Sequence, residues 1–301
     1  MRIALIGHIP HDRYLFTDGT AYTGFGGVLY GAAALAGALG SGDEVILISR
    51  VGDGILPDVL ALLGAYGRIT PRVDTVPGYG WVVNATYLDG ERRREQLVGG
   101  VPPWTAAELL GLVEGCDAVL LNMVTGFEME VAEFKAFAAA CPFLHLDFHS
   151  LALGRDSAGV RIPAWNPTAR EWCSRARLLQ MNRAELRSVI PDAEPLDAVS
   201  ALSAWGPRWI AVTDGSNGIY AAEAGRAWHE PAVEPTTEPV DPTGCGDVFG
   251  ACFLVGLLRG LPIDEASGTA AQVARRNADH RGIPTPTRLN EMFQGTRFVS
   301  A

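Results

Sequence analysis

DPTGCGDVFGACFLVGLLRG, residues 241–260, decides how the rest of the chain is read. It joins an irregular Pro/Thr piece to a long apolar run. Proline lacks an N–H and is excluded from a helix interior, so Pro242 predicts a helix that starts near Gly244. The small residues Gly244, Cys245 and Gly246 let backbone N–H groups come close to a ligand. Those first-turn N–H groups have no intrahelical partner, and the helix dipole adds positive potential. Together they make an anion site suited to a phosphoryl group. Asp247 falls in the same turn. A carboxylate beside a bound anion is unfavourable unless it has a task, and deprotonating an attacking hydroxyl is such a task. Two other readings stand beside this one. Gly244-x-Gly246-x-x-x-Gly250 has the spacing of a dinucleotide loop, although a Pro/Thr-rich segment rather than a hydrophobic strand precedes it. Asp247 could also be an ordinary first-turn acid favoured by the dipole.

Outward from this segment, short apolar runs alternate with helical patterns. Residues 2–7, 44–49, 117–121, 143–147, 177–180 and 208–213 read as strands. Residues 27–39, 55–65, 128–140, 167–174 and 195–204 read as helices. Such alternation predicts a parallel sheet covered on both faces. Residues 69–98 break the rhythm. ITPRVDTV, GWVVNATYLDG and RRREQLV read as short strands, with turn signals at Pro77-Gly78 and Asp89-Gly90. The expectation is a small antiparallel sheet inserted into the α/β domain and serving as a lid. Arg92-Arg93-Arg94 is read as a solvated hairpin edge that resists aggregation, with contact to an anionic substrate as the alternative. The stretch 229–243, HEPAVEPTTEPVDPT, leads into the opening motif.

Composition sets outer bounds. A chain of 301 residues with 48% hydrophobic and 19% charged residues is globular, and long enough for one large α/β domain or two small ones. A formal charge of −10 argues against general nucleic-acid binding and against a basic membrane anchor. Lys135 is the single Lys, so a P-loop is excluded; Lys135 itself reads as a solvated helix charge. Five Cys, an odd count without C-x-x-C spacing, predict reduced thiols and a cytoplasmic protein. The N-terminus has no apolar h-region, and Val28 to Gly40 is too short to span a bilayer. His145, Asp147 and His149 share a spacing of two and would face one side of a strand. A metal site, a ligand-edge role at the carboxyl edge of the sheet, and plain structure all remain open there. His8 and His11, near Asp12, read as substrate-edge or surface residues.

Asp241-Pro-Thr-Gly-Cys-Gly-Asp247 with its apolar helix resembles the second signature of the ribokinase-like (PfkB) carbohydrate kinases. Further segments resemble that family in the same order. Ile6-Gly7 then Asp12 is similar to its first-strand end. Gly26-Gly27 before an Ala-rich helix, with Val51-Gly52-Asp53 later, is similar to its first signature. Asn182-Arg183-Ala184-Glu185 is similar to N-x-x-E, and Val212-Thr213-Asp214-Gly215 with Gly218 to T-x-G-x-x-G. The resemblance runs from residue 1 to about 282. It implies a Rossmann-like three-layer α/β sandwich, a single domain over residues 1–301, with the lid at about 69–98 joined by part of 10–25.

The resemblance also implies ATP-dependent phosphorylation of a hydroxyl on a sugar or nucleoside. Asp247 would be the base, and Gly244, Cys245 and Gly246 the anion hole. Asn182 and Glu185 would organise Mg²⁺ and the nucleotide phosphates, Glu185 through water. Thr213, Gly215 and Gly218 would line the ATP site. Asp12, Gly26 and Gly27 would hold the acceptor. Asp241 and Thr243 match monovalent-cation (K⁺) ligands of some members, and the lid of the family often forms a homodimer contact. Three departures bear on specificity. Cys245 replaces a usual Ala or Gly, which puts an oxidisable thiol near the phosphate. Tyr30 stands where Asn often follows Gly-Gly. Asp214 stands where an apolar residue is usual. Other function classes are a ligand-binding or regulatory protein on a kinase fold, against which the intact Asp247 and Glu185 argue, and an NAD(P)-dependent oxidoreductase reading the glycine loop.

Overall fold

The structure is a computed structural model that describes residues 1–88, 93–232 and 240–298. Asp89-Gly90, Arg92 and the middle of the Pro/Thr/Glu-rich stretch lie outside the described residues. In chain order the first elements are β1 (Arg2–Ile6), β2 (His11–Leu15), β3 (Ala21–Phe25), α1 (Val28–Ala38), β4 (Glu44–Gly52) and α2 (Leu56–Gly64). Next come β5 (Ile69–Val76), β6 (Trp81–Tyr87), β7 (Arg93–Gly99), α3 (Ala106–Leu112), β8 (Ala118–Asn122), α4 (Val131–Ala140) and β9 (Leu144–Asp147). A short hairpin, β10 (Leu153–Arg155) and β11 (Arg161–Pro163), precedes α5 (Ala169–Cys173), β12 (Leu178–Asn182), α6 (Arg183–Val189) and α7 (Pro195–Ser203). The chain continues with β13 (Trp209–Thr213), β14 (Ile219–Glu223), β15 (Arg226–Glu230), α8 (Cys245–Leu258), α9 (Ile263–Asn277) and α10 (Pro286–Phe293).

The main sheet has the order β15-β14-β13-β12-β9-β8-β1-β4-β5. It is parallel from β5 to β13, and β14 and β15 close one side antiparallel. Each strand alternates its apolar side chains between two separate cores. Ile3, Leu5, Val45 and Leu47 face α1, α8 and α9. Ala4, Ile6, Ile46 and Ile48 face the layer holding Leu109, Phe134, Phe137 and Trp172. Two apolar faces require helices on both sides, which is why these strands read as unbroken hydrophobic runs. Burying one such Leu or Ile contributes about 1.5–3 kcal/mol. From β1 the chain crosses to β4 and β5 on one side and then to β8 and β9 on the other. The strand order therefore reverses at β1, and open α/β sheets bind ligands outside the carboxyl ends at such a point.

A second sheet of order β3-β2-β6-β7 packs its inward side chains into a small core of Tyr14, Trp81, Val83, Ala85, Tyr87 and Leu97. It departs from the expected antiparallel sheet over 69–98 in two ways: β2 pairs parallel with β6, and one expected strand lies elsewhere. Ile69–Val76 does not join it but pairs parallel with β4 at the edge of the main sheet. Pro71 is compatible with this place, since proline cannot donate to a ladder and is tolerated on an edge strand. The small sheet is built instead from residues 11–25 and 81–99. No helix among the described residues is long and apolar enough to cross a membrane. All five cysteines are free.

Candidate active site

α8 begins where Pro242 and two glycines force it to. Gly244 is its N-cap, at φ 76° in the left-handed region, where glycine alone is unstrained. A Cβ at Gly244 would also overlap the ring of Tyr30. The Cys245 N–H bonds to the Pro242 carbonyl at 3.2 Å, and Gly244 and Gly246 line the cleft. That cleft, of about 360 Å³, lies between the carboxyl edge of the main sheet and the small sheet. Among the described residues, 240–244 before the glycine loop form no β-strand, unlike the strand that leads into a dinucleotide loop.

Asp247, in the first turn of α8, faces the cleft and accepts a hydrogen bond from Asn122 Nδ2 at 2.5 Å. Burial pushes its carboxyl above the ordinary value, opposed by the charge of His149, the Asn122 bond and Arg93. Asn122 ends β8, and Gln180, on β12, donates from Nε2 to the Gly246 carbonyl at 2.8 Å. A Cβ at Gly250 would collide with the Gln180 amide oxygen, so Gly250 is what lets α8 sit this low on the sheet.

Asn182 and Glu185 form a reciprocal capping box at the start of α6. Asn182 Oδ1 accepts from the Glu185 N–H at 2.9 Å, and Glu185 Oε2 accepts from the Asn182 N–H at 2.8 Å. Glu185 Oε1 also meets His149 Nδ1 at 3.3 Å. That partner, with Asp147 and Asp247, lifts the imidazole to about 9 against the lowering effect of its burial. His149 itself sits at φ 33°, a strained value for a β-carbon residue. Asp147 is pushed well above the usual carboxylate range, first by burial and then, against the pull of His149, by the charges of Glu185 and Asp247. Two mutually repelling carboxylates on one cleft suit Mg²⁺, which takes one or two protein carboxylates and keeps several waters. No group of three or more His, Cys, Asp or Glu among the described residues is arranged to hold a metal outright. The His145/Asp147/His149 trio is split accordingly. His145 is fully buried, held neutral with its value lowered to about 3, while Asp147 and His149 reach the cleft.

Asp12 comes from the small sheet. It is buried, accepts from the Tyr14 hydroxyl at 2.5 Å, and is pushed up to about 8 by burial. Its Oδ1 and the Tyr30 hydroxyl are both buried without a hydrogen-bond partner among the described residues. A Cβ on Gly26 would run into the Asp12 carboxylate, and Gly27, at φ 60°, would strike the His8 carbonyl. The two glycines thus let the chain turn tightly around Asp12. Thr213, at the end of β13, lines the cleft. Gly215 and Gly218 lie on the turn just beyond, at φ 53° and 99°, outside the cleft lining, and Asp214 pairs with Arg183 at 3.1 Å. Asp241 is buried; its Oδ1 accepts from the Thr243 N–H at 2.9 Å and from the Tyr87 hydroxyl at 3.2 Å.

Three sequence readings need correction. The Cys245 thiol turns away from the cleft and donates to the Ala274 carbonyl at 3.2 Å; burial pushes it up to about 11, so it is a poor thiolate. His8 is not at the substrate edge: it is fully buried, bonded to Thr125 Oγ1 at 2.8 Å and Glu128 Oε1 at 3.0 Å, and stacked on Trp104. The arginine run is not uniformly solvated. Arg94 points out, whereas Arg93 points into the cleft with Glu95. Arg93 is marked by the sequence only through the substrate-contact alternative for its arginine run, and Glu95, Arg161, Tyr87, Asn122 and Gln180 are not marked as site residues. A polar residue ending an apolar strand run, as in LLN and LLQMN, is the signal that could have found the last two.

A profile of the pfkB family carbohydrate kinases matches residues 156–288. The chain is 26% identical over 286 residues to the cytidine kinase of Thermococcus kodakarensis, covering 91% of this chain and 94% of that protein. A solved pyrophosphate-dependent kinase in the ribokinase family, complexed with sulfate, superposes with a TM-score of 0.81 at 19% identity, covering 96% of this chain and 99% of that one. Arabidopsis thaliana ribokinase, complexed with ribose and ATP, superposes with a TM-score of 0.72 at 20% identity over 98% of this chain and 99% of that one.

Proposed function

This chain belongs to the ribokinase-like pfkB family of carbohydrate kinases, and from that premise we propose that it transfers the γ-phosphoryl group of ATP to a hydroxyl of a sugar or nucleoside. The observation that carries the reading is Asp247: a buried carboxylate in the first turn of α8, facing the cleft beside Gly244 and Gly246. Its raised affinity for protons brings it closer to the range in which a general base works well. Asp247 takes the proton of the attacking hydroxyl, and Asn122 fixes which oxygen faces that proton. The Gly244–Cys245–Gly246 turn, at the positive end of α8, stabilises charge that develops on the transferring group through its dipole and through Gly244 and Gly246, the Cys245 N–H being held by the Pro242 carbonyl. Because phosphoryl transfer asks little covalent chemistry of a protein, positioning and electrostatics supply most of the acceleration.

Asp12, Gly26 and Gly27 hold the acceptor, and the unpaired Asp12 Oδ1 and Tyr30 hydroxyl are the polar atoms that an acceptor hydroxyl group would satisfy. Asn182, Thr213, Gly215 and Gly218 belong to the nucleotide side. Glu185, with Asp147 beside it, would hold Mg²⁺ through water, and the ion would supply neutralisation of phosphate charge. Potassium activation through Asp241 and Thr243, and a homodimer through the small sheet, belong to the same reading, as does a single kinase domain over residues 1–301. The test is ADP release with Mg-ATP and K⁺ across sugars, sugar acids, sugar phosphates, nucleosides and cyclitols, with pyrophosphate as a second donor. Acceptor-dependent release that falls at least ~10²-fold in Asp247→Asn, with ATP still bound, is the expected result. Near-normal turnover in that variant would overturn Asp247 as the base.

A further inference from the structure

The small sheet brings an unbalanced charge cluster to the cleft. Strand alternation turns Arg93 and Glu95 inward on β7. Arg161 arrives from β11, its side chain only 5% exposed. One carboxylate serves both guanidinium groups: Glu95 Oε2 meets Arg93 Nη2 at 3.0 Å and Glu95 Oε1 meets Arg161 Nη1 at 3.1 Å. Arg161 spends its remaining reach on backbone carbonyls, Val124 at 3.3 Å and Thr125 at 2.8 Å. Arg93 has no such anchors. It lies against the rings of Tyr14 and Tyr87, at 5.8 and 6.0 Å, and among the described residues its other bond is a long one, 3.4 Å, to the Tyr87 hydroxyl. Within this trio two guanidinium groups share one carboxylate, and Arg93 also acts on Asp12 and Asp247 across the cleft. Arg93 is 29% exposed, so part of its guanidinium stays open to the cleft beside its Glu95 pair. A planar guanidinium lying against two aromatic rings is preorganised to grip a carboxylate or phosphate with two donors.

We infer that the acceptor carries an anionic group, a carboxylate or a phosphate, that docks on Arg93, with Glu95 and Arg161 as the pair that positions it. This rests on the kinase reading for the identity of the cleft and extends it to the substrate class. Neutral sugars, nucleosides and cyclitols then lack the group that the small sheet is built to receive.

The test measures binding and turnover in the same samples of full-length protein. Titration calorimetry compares ribonate and ribose 5-phosphate with ribose, and gluconate and glucose 6-phosphate with glucose; the acid and phosphate arms distinguish the two anions. The expected result is a charged member bound about 10- to 100-fold tighter than its neutral partner, the scale of a charge-assisted hydrogen bond. Arg93→Gln should erase that preference by raising KM for the anion, with kcat changed far less. Arg93→Lys should restore part of it, and Arg94→Gln, on the outer face, should leave it intact. Equal binding of charged and neutral members, silence from every anion, or an Arg93→Gln variant that weakens both kinds alike would overturn the inference. Asp247-dependent turnover of neutral acceptors without charge preference would overturn it while the kinase stands. Anion-selective binding without phosphoryl transfer would support it and overturn the kinase reading.

Discussion

The two walls of the cleft are made differently. On the main-sheet side, functional groups are set by backbone geometry: a left-handed Gly244, a capping box at Asn182 and Glu185, and Asn122 at the last position of a buried strand. On the small-sheet side they are set by side chains paired with one another: Tyr14 with Asp12, Arg93 with Glu95 and Arg161, and Tyr87 with Asp241. A wall fixed by helix starts and strand ends is rigid and tolerates little change. A wall fixed by side-chain pairs can be rewritten one residue at a time without moving the backbone. The first is suited to the chemistry, which changes little between acceptors, and the second to choosing the acceptor.

Substitutions on each wall should therefore fail in different ways. The largest effect among these variants is expected at Gly244→Ala. A β-carbon there is strained at φ 76° and runs into Tyr30. The strain costs about 1–3 kcal/mol, visible as a lower urea midpoint. A shift of the α8 start by about 1 Å would lower kcat by about 10²-fold. Unchanged kcat would mean that the loop does not position the reacting groups.

Asp12→Asn should lower kcat less than Gly244→Ala does, and its effect on stability should depend on pH. The Asp12 carboxyl is pushed up to about 8 from an ordinary value of 3.8, mainly by burial. Between those values the folded protein holds a proton that the unfolded chain has released. Stability therefore falls as pH rises from about 4 to about 8 and levels off above. The Asn variant should lose that slope and be the more stable protein at pH 8, while binding its acceptor less tightly. Urea midpoints across this range check the sign; parallel curves for the two proteins would refute it.

Tyr87→Phe should act least. It removes the hydroxyl that ties the small sheet to Asp241 and Thr243, worth about 1 kcal/mol. The expected outcome is a rise of about fivefold in the acceptor KM, with kcat nearly constant. A kcat loss as large as that of Gly244→Ala would erase the distinction between the walls.

The same distinction explains what the sequence could reveal. Strand–helix alternation and the position of Pro242 are local properties, so the main sheet and the start of α8 were legible, while Asn182 and Glu185 stood out only through a family resemblance and not as a capping box. The pattern of Ile69–Val76 specifies a strand but not its partner, which is why its place beside β4 is not legible locally. Arg93 was hidden in a run of three arginines, where only the two-residue period of a strand separates an inward from an outward side chain. Arg161 meets Glu95 across 66 residues of chain, a pairing that no local pattern announces. His8 and Cys245 were misread for the converse reason: each is chemically suggestive, and each faces an interior that only the packing defines.

The most direct measurement is steady-state kinetics of Asp247→Asn beside Arg93→Gln, with nucleotide affinity determined for both. The account predicts that kcat collapses by at least ~10²-fold in the first with nucleotide affinity preserved. In the second, the acceptor KM should rise while kcat stays within a few-fold. An Asp247→Asn enzyme that turns over at nearly the parental rate, or an Arg93→Gln enzyme that loses kcat as deeply as Asp247→Asn, would contradict the division of labour between the two walls.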